Sequence, residues 1–280
     1  LQKTKIQYKN RGLEIFVTNG QCDPCFGILV DKHFPLAGRT LVVGDIHGGL
    51  KAVQQLFERA YVSPQDKLIF LGDYVDGWSE SAAVIEWLME LGTKQACIFI
   101  KGNHDEWCED WLRSGQANKT WLQHGGQATA KSYAMVKDAD RARHLAFFES
   151  LRMFYTDEEN RLFIHAGFTS MHGPAHEFHT SNFSWDRTLW ETALTMDRRL
   201  NADSPLYPKR LKLFSEIFIG HTPTLYFDVT IPMQGCNVWN IDTGAAFTGR
   251  LSMMDVDTKF FWQSDVLPDL YPNETGRNSR

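Results

Sequence analysis

The sequence predicts an α/β protein, and three observations carry that prediction. From Arg39 onward, short apolar runs rich in β-branched residues alternate with segments of helical spacing. Successive runs end in glycine followed by a polar residue. The chain of 280 residues is 43% hydrophobic and 22% charged, which is ample for a buried core. Strand, helix, strand, helix, strand in that order implies parallel strands joined by right-handed crossovers. In such sheets sites gather at the carboxyl ends of the strands.

The elements follow in order. Leu13 to Thr18 reads as a short strand and Asn19-Gly20 as a turn. Cys22-Asp-Pro-Cys25 is a CxxC with no second CxxC after it, and a structural loop is the expected role. Thr40 to Val43 is a strand, and Leu50 to Arg59 a helix with Leu50, Val53, Leu56 and Phe57 on one face. Lys67 to Leu71, Glu80 to Leu91, Gln95 to Ile100 and Asp105 to Leu112 continue the alternation. Gly125 to Val136 and Asp138 to Leu151 are predicted helical, the second N-capped by Asp138. Arg161 to His165 is a strand, 168–184 a polar loop, and Ser184 to Met196 a helix. Glu216 to Ile219, Cys236 to Ile241 and Arg250 to Val256 are late strands. From about Asp265 the chain is rich in Pro and Asn and reads as a loose tail. One domain over 1–280 is expected, with a catalytic core over about 40–256, an extension over 1–39 and a tail over 265–280.

The net charge of -5 gives no basic footprint for a nucleic-acid duplex. No apolar run approaches the roughly 20 residues that span a bilayer. Five cysteines form no dense framework, so a reducing cytoplasm is the expected compartment.

The strand ends carry the chemistry. The first strand ends G-D-I-H-G-G, the second G-D-Y-V-D-G and the third G-N-H-D, while later strands end H-A-G and G-H-T. Together they offer Asp45, His47, Asp73, Asn103, His165 and His221. This mixed oxygen and nitrogen set suits Mn, Fe, Co, Ni or Zn rather than Ca. Six donors exceed what one catalytic ion uses, so two divalent ions are expected, bridged by a carboxylate on the middle strand. Two such ions and two aspartates leave a residual charge of about +2, which favours an anionic group such as phosphate. Water activated between the ions is then the expected nucleophile. His104 is the expected general acid, oriented by Asp76 or, second, by Asp105. Arg187 is the candidate for holding phosphoryl oxygens. His172, His176 and His179 are expected to line a polar loop over the site, and Trp107 and Trp111 to be core.

These motifs resemble the calcineurin-like metallophosphoesterases, and within them the phosphoprotein phosphatase superfamily in its bacterial and phage-type branch. That family shows G-D-x-H-G, G-D-x-x-D-R-G, G-N-H-E/D, H-A-G and G-H-T. The resemblance runs from about Thr40 to Val256, and W-L-Q-H-G-G (121–126), W-D-R (185–187) and N-I-D-T-G (240–244) extend it. It implies two facing mixed β-sheets flanked by helices in four layers. It implies that Asp45, His47 and Asp73 hold one metal, and that Asp73, Asn103, His165 and His221 hold the second, with Mn the default ion. It implies His104 paired with Asp76, and Arg187 on the phosphate.

One departure stands out: the family's D-R-G is D-G-W here, with Gly77 where a phosphate-binding arginine is expected and Trp78 where a glycine is expected. The grip on phosphate then depends on another cation, with Lys101 as the candidate, and Trp78 is expected to wall the pocket or stack on a ring. The first functional expectation is a phosphomonoesterase acting on phosphoserine or phosphothreonine in proteins, or on a small phosphoester. The alternative is a dinucleoside polyphosphate hydrolase, and a lesser one an interaction module with a weak site.

Overall fold

The computed structural model describes residues 3–7, 14–18, 38–197 and 199–278. The CxxC at Cys22 and Cys25 lies outside them. Two compact units divide the chain, Leu1–Pro35 and Leu36–Arg280. In the first, β1 (Lys3–Gln7) and β2 (Glu14–Thr18) pair antiparallel, Lys3 opposite Thr18.

The second unit builds two five-stranded mixed sheets. Thr40–Val43 (β3), Lys67–Phe70 (β4) and Cys97–Phe99 (β5) run parallel. Helices α1 (Leu50–Arg59) and α2 (Ser81–Lys94) make the crossovers. Phe154–Thr156 (β6), Arg161–Ile164 (β7), Glu216–Ile219 (β8), Met233–Gly235 (β9) and Val238–Asn240 (β10) form the other sheet in the order β6-β7-β8-β10-β9. Ser252–Asp255 (β11) and Phe261–Gln263 (β12) return to the first, giving β12-β11-β3-β4-β5.

The period of two along each strand explains why the sheets face each other. Val42, Ile69 and Leu71 point inward to meet Phe163, Phe218 and Ile241 of the second sheet. Their neighbours Leu41, Val43, Leu68 and Phe70 point outward, into a cluster with Val53 and Leu56 of α1, Ile85 and Leu88 of α2, and Phe148. On the far side Leu162, Ile164, Ile217 and Ile219 pack against Phe183, Leu189 and Trp190. The result is helix, sheet, sheet, helix, as expected.

Several expectations are corrected. The helix expected over Ser184 to Met196 is broken into Asn182–Trp185 and Thr188–Thr195. The Asp186 carboxylate causes the break by accepting from Thr188 N at 3.1 Å and Leu189 N at 3.0 Å, at the start of the second piece. Asp138 is the first residue of its helix (Asp138–Ser150) rather than its cap. The helix expected over 125–136 is confined to Gln127–Ser132 and preceded by a π-turn, Leu122–Gly126. The tail is not loose: Leu267 and Tyr271 are buried, and short helices occupy Leu267–Leu270 and Gly276–Asn278. Among the described residues no helix is long and apolar enough to cross a membrane.

Candidate active site

The loops after β3, β4, β5, β7 and β8 converge at one end of the paired sheets. Backbone bonds lock the first two together: Ile46 N and His47 N both donate to Asp73 O, at 3.0 and 2.9 Å, and Gly48 N donates to Tyr74 O at 2.8 Å. A third loop is tied in by the Asp105 carboxylate, which accepts from Asp73 N (2.8 Å), Tyr74 N (2.9 Å) and Gly102 N (2.8 Å). Asp105 therefore positions loops and is not the partner of His104.

This scaffold brings the six expected donors together. Asp73 stands in the middle, with Oδ2 3.6 Å from His47 Nε2 and Oδ1 3.5 Å from His165 Nε2. Asp45 Oδ2 lies 4.0 Å from His47 Nε2. Asn103 Oδ1 lies 3.2 Å from His165 Nε2 and 3.0 Å from His221 Nδ1. His47 Nδ1 donates to Asp76 O at 2.9 Å and His165 Nδ1 to Leu71 O at 2.8 Å. Each bond occupies Nδ1 and turns Nε2 toward the cluster, the usual arrangement behind a metal-ligating imidazole. Close approach is made by glycine: a Cβ on Gly102 would fall 2.1 Å from Asp73 Oδ1, and one on Gly220 2.0 Å from Asp45 Oδ1. His47, Asp73, Asp76 and His221 all have left-handed backbone, with φ of 52°, 52°, 72° and 67°. Non-glycine residues rarely adopt that region, and they gather at functional sites.

The donor set fits divalent cations. Asp45 Oδ1 and His221 Nε2 are buried with no hydrogen-bond partner among the described residues, whereas buried polar atoms are normally paired. His47, Asp73 and His104, and separately Asp73, His165 and His221, each present ligand atoms within 4.8 Å of one another. Burial pushes His47 down to about 3 and raises Asp45, where Asp242 adds to the effect. At His165 burial lowers the imidazole, but the Asp73 and Asp45 carboxylates outweigh it and lift it to about 10. Such a cluster of buried acids and imidazoles would be brought into balance by bound positive charge.

Beside the donors, His104 Nδ1 meets Asp76 Oδ2 at 2.7 Å. Asp76 also accepts from Trp121 Nε1 at 2.7 Å and Thr129 Oγ1 at 2.6 Å. Burial pushes His104 down to about 3 and Asp76 up to about 7, the Thr129 and Trp121 bonds opposing the latter.

The cleft over this cluster has a volume of about 210 Å³ and is lined also by Trp107, Trp185, Arg187, Tyr226, Asp242, Phe247 and Arg277. Trp107 belongs to its wall rather than the core, edge-on to His104 and Trp185 with centroids 5.1 Å from each. Trp111 packs on Trp121 and Tyr133. Two other sequence candidates stay out of the cleft. Trp78 is fully buried, donates from Nε1 to Ala245 O at 2.7 Å and stacks on Tyr271. Lys101 is paired with Glu109 at 2.5 Å. His172, His176 and His179 do not line the cleft, while His124 does. Sequence reasoning missed Asp242, although the D-T-G run was its signal, and it missed Arg277, Tyr226 and Phe247, for which no local signal exists.

Two facing sheets with acid, amide and imidazole donors at their loop ends define a metal-dependent phosphoesterase. The family model of calcineurin-like phosphoesterases matches residues 38–246, and the chain belongs to that family. The chain is 28% identical to the bis(5'-nucleosyl)-tetraphosphatase PrpE [asymmetrical] of Bacillus cereus (strain AH820), over 76% of this chain and 88% of that protein. The same values hold for the namesake in Bacillus thuringiensis (strain Al Hakam). Among solved structures, a proposed diadenosine tetraphosphatase superposes with a TM-score of 0.57 at 16% identity, covering 82% of this chain and 94% of that one. A protein serine/threonine phosphatase from Saccharomyces cerevisiae gives 0.54 at 14% identity, covering 83% and 81%. At these identities the likeness concerns the fold.

Proposed function

We propose that this chain is a metal-dependent hydrolase of dinucleoside polyphosphates, cleaving them into unequal nucleotide products. The observation that carries this reading is the aromatic rim on the cleft. Trp185 and Tyr226 are 42% and 62% exposed, and with Trp107 and Phe247 they stand over the donor cluster. Exposed aromatic faces beside a phosphate site suit a substrate that carries rings as well as phosphates. A phosphoserine or phosphothreonine side chain has no ring to offer them. The names of the Bacillus relatives support the same choice, so we place the dinucleotide reading ahead of the protein-phosphatase reading.

In this proposal Asp45, His47 and Asp73 would hold one ion, and Asp73, Asn103, His165 and His221 would hold the other, with manganese the first metal to supply. When bound, such ions act as Lewis acids on a phosphoryl group and make water a better nucleophile near neutral pH. The chain's own residues do the rest. Asp76, fixed by Trp121 and Thr129, holds the His104 ring so that its other nitrogen can deliver a proton to the departing phosphate oxygen. Burial alone opposes a protonated His104; the negative charge of a polyphosphate in the cleft favours it. Arg187 offers a guanidinium to phosphoryl oxygens. The wall of Trp107 and Trp185 limits water around the reacting group.

The test is a substrate panel on manganese-loaded protein: diadenosine tetraphosphate, phosphoserine and phosphothreonine peptides, and an aryl phosphate, with nucleotide products and phosphate followed together. The expected result is a kcat/KM for the dinucleotide well above that for either peptide. His104→Ala should lower kcat on the dinucleotide by about 10²–10⁴ with bound metal unchanged. Turnover of the peptides with the dinucleotide left intact would overturn the reading.

A further inference from the structure

We propose that Arg277, carried back to the cleft by the C-terminal segment, is a phosphate-binding residue of this site, taking the place left by glycine at position 77. The inference rests on the phosphoesterase reading above and adds to it a residue that no local motif marks.

Arg277 lines the same cleft as His47, Asp73, His104 and Arg187. Its guanidinium carbon lies 5.1 Å from the Phe247 ring centroid, and its backbone N–H donates to Ala246 O at 2.8 Å. Among the described residues no carboxylate stands within 4.0 Å of the guanidinium. An arginine fixed by its backbone and by an aromatic face, with no anion of its own, is poised to receive one.

Space for its stem is made by Gly125, where a Cβ would lie 3.1 Å from Arg277 Cγ; the stem runs beside Gly77, whose Cβ position lies at the ordinary contact distance of 3.5 Å. Gly77 has φ of 128°, a backbone conformation that an arginine there would adopt only under strain. The neighbouring Trp78 is the dock for the returning chain. Tyr271 stacks on it with centroids 5.2 Å apart and planes at 23°. Gly276 lies so close that a Cβ would come within 2.7 Å of Trp78 Cζ2. Glu274 accepts from Ser79 N at 2.9 Å and from Ser79 Oγ at 2.7 Å, and the Tyr271 hydroxyl bonds Glu80. The G-W pair at 77–78 thus does two things at once: it vacates the position beside His47 and it seats the segment that refills it with a cation. Lys101, the cation expected from sequence, is engaged by Glu109 and cannot do so.

The experiment compares the parent with Arg277→Ala, Arg277→Gln and Arg277→Lys, all manganese-loaded. The first readout is the dissociation constant of inorganic phosphate by calorimetry, which needs no substrate and no turnover. The second is KM and kcat on diadenosine tetraphosphate and on an aryl phosphate. Bound metal and melting temperature serve as controls. Loss of a charge-assisted contact should weaken phosphate binding roughly 10- to 100-fold in the Ala and Gln variants. Lys should recover part of it, and added guanidinium should restore turnover to the Ala variant but not to the parent. Phosphate affinity equal to the parent's in both the Ala and Gln variants would overturn the proposal. So would a loss of affinity explained by lost metal in both variants, since that would make Arg277 part of the scaffold. If phosphate binding falls as expected while the dinucleotide is not cleaved, Arg277 keeps its role and only the substrate assignment fails.

Discussion

Asp105→Asn separates a loop-positioning carboxylate from a catalytic one. Asp105 is fully buried and its two oxygens accept three backbone N–H groups, from Asp73, Tyr74 and Gly102. Bonds to a charged acceptor contribute about 1.5–3 kcal/mol each, so removing all three with alanine would cost about 5–9 kcal/mol, comparable with the whole stability of a domain. The carboxamide is gentler. Its oxygen can stand where Oδ2 receives Asp73 N and Gly102 N, leaving its NH2 against Tyr74 N–H. The Tyr74 N–H then loses its acceptor, at about 1–3 kcal/mol, the new NH2 faces it without an acceptor of its own, and the remaining two bonds lose their charge. A net loss near 3 kcal/mol lowers the melting temperature of a chain this size by roughly 4–12 °C. Calorimetric melting alongside steady-state kinetics on the same samples makes the measurement. A melting temperature within about 1 °C of the parent together with a collapsed kcat would refute the reasoning, and would return Asp105 to the role of partner to His104.

Two further outcomes follow from the geometry. Gly220→Ala should weaken metal binding about 10- to 100-fold by displacing Asp45, whose Oδ1 lies 2.0 Å from the new Cβ; chelator competition measures it, and unchanged affinity would count against the arrangement. Asp66→Ala should destabilise by about 3–5 kcal/mol, because it leaves buried Arg39 without the carboxylate that sits 2.6 Å away. Although burial raises Asp66, its bonds to Arg39 and Ser63 hold it below the ordinary carboxylate value. A depressed folded value means that its contribution is complete above the unfolded value, about 3.9, and is lost as pH falls through the folded one. The difference in urea midpoint between variant and parent should therefore be constant from neutral pH down to about 5 and shrink at lower pH.

Much of the site was legible because every donor sits just after an apolar strand and all but His165 stand beside a glycine. Gly44-Asp45, Gly72-Asp73, Gly102-Asn103 and Gly220-His221 are local patterns, and local patterns survive in one dimension. The long elements were legible for the same reason, α1 over Leu50–Arg59 residue for residue. The strands that escaped in the second unit, β6, β9 and β12, have three residues each and lie at sheet edges, too short to show the period of two that marks a strand, and the five-residue β1 escaped as well. Residues acting at long range escaped too. Composition made 265–280 look loose, because nothing in Tyr271 or Gly276 announces that Trp78 awaits them. Trp78 was read as a wall of the pocket for the mirror-image reason: its partner lay at the other end of the chain. Asp105, next to His104 in sequence, stood as its second candidate partner, but helix geometry turns it toward the backbone of another loop.

The left-handed backbone at His47, Asp73, Asp76 and His221 has a consequence for how this chain can change. At each of these positions glycine would relieve conformational strain that the present side chain must bear. Selection for heat resistance alone would thus pull these four positions toward glycine or asparagine, erasing three donors and the partner of His104 while the fold grew firmer. Aspartate and histidine at these positions put the interests of the fold and of the cleft in direct opposition, and a stabilised variant of this protein is best sought everywhere except there.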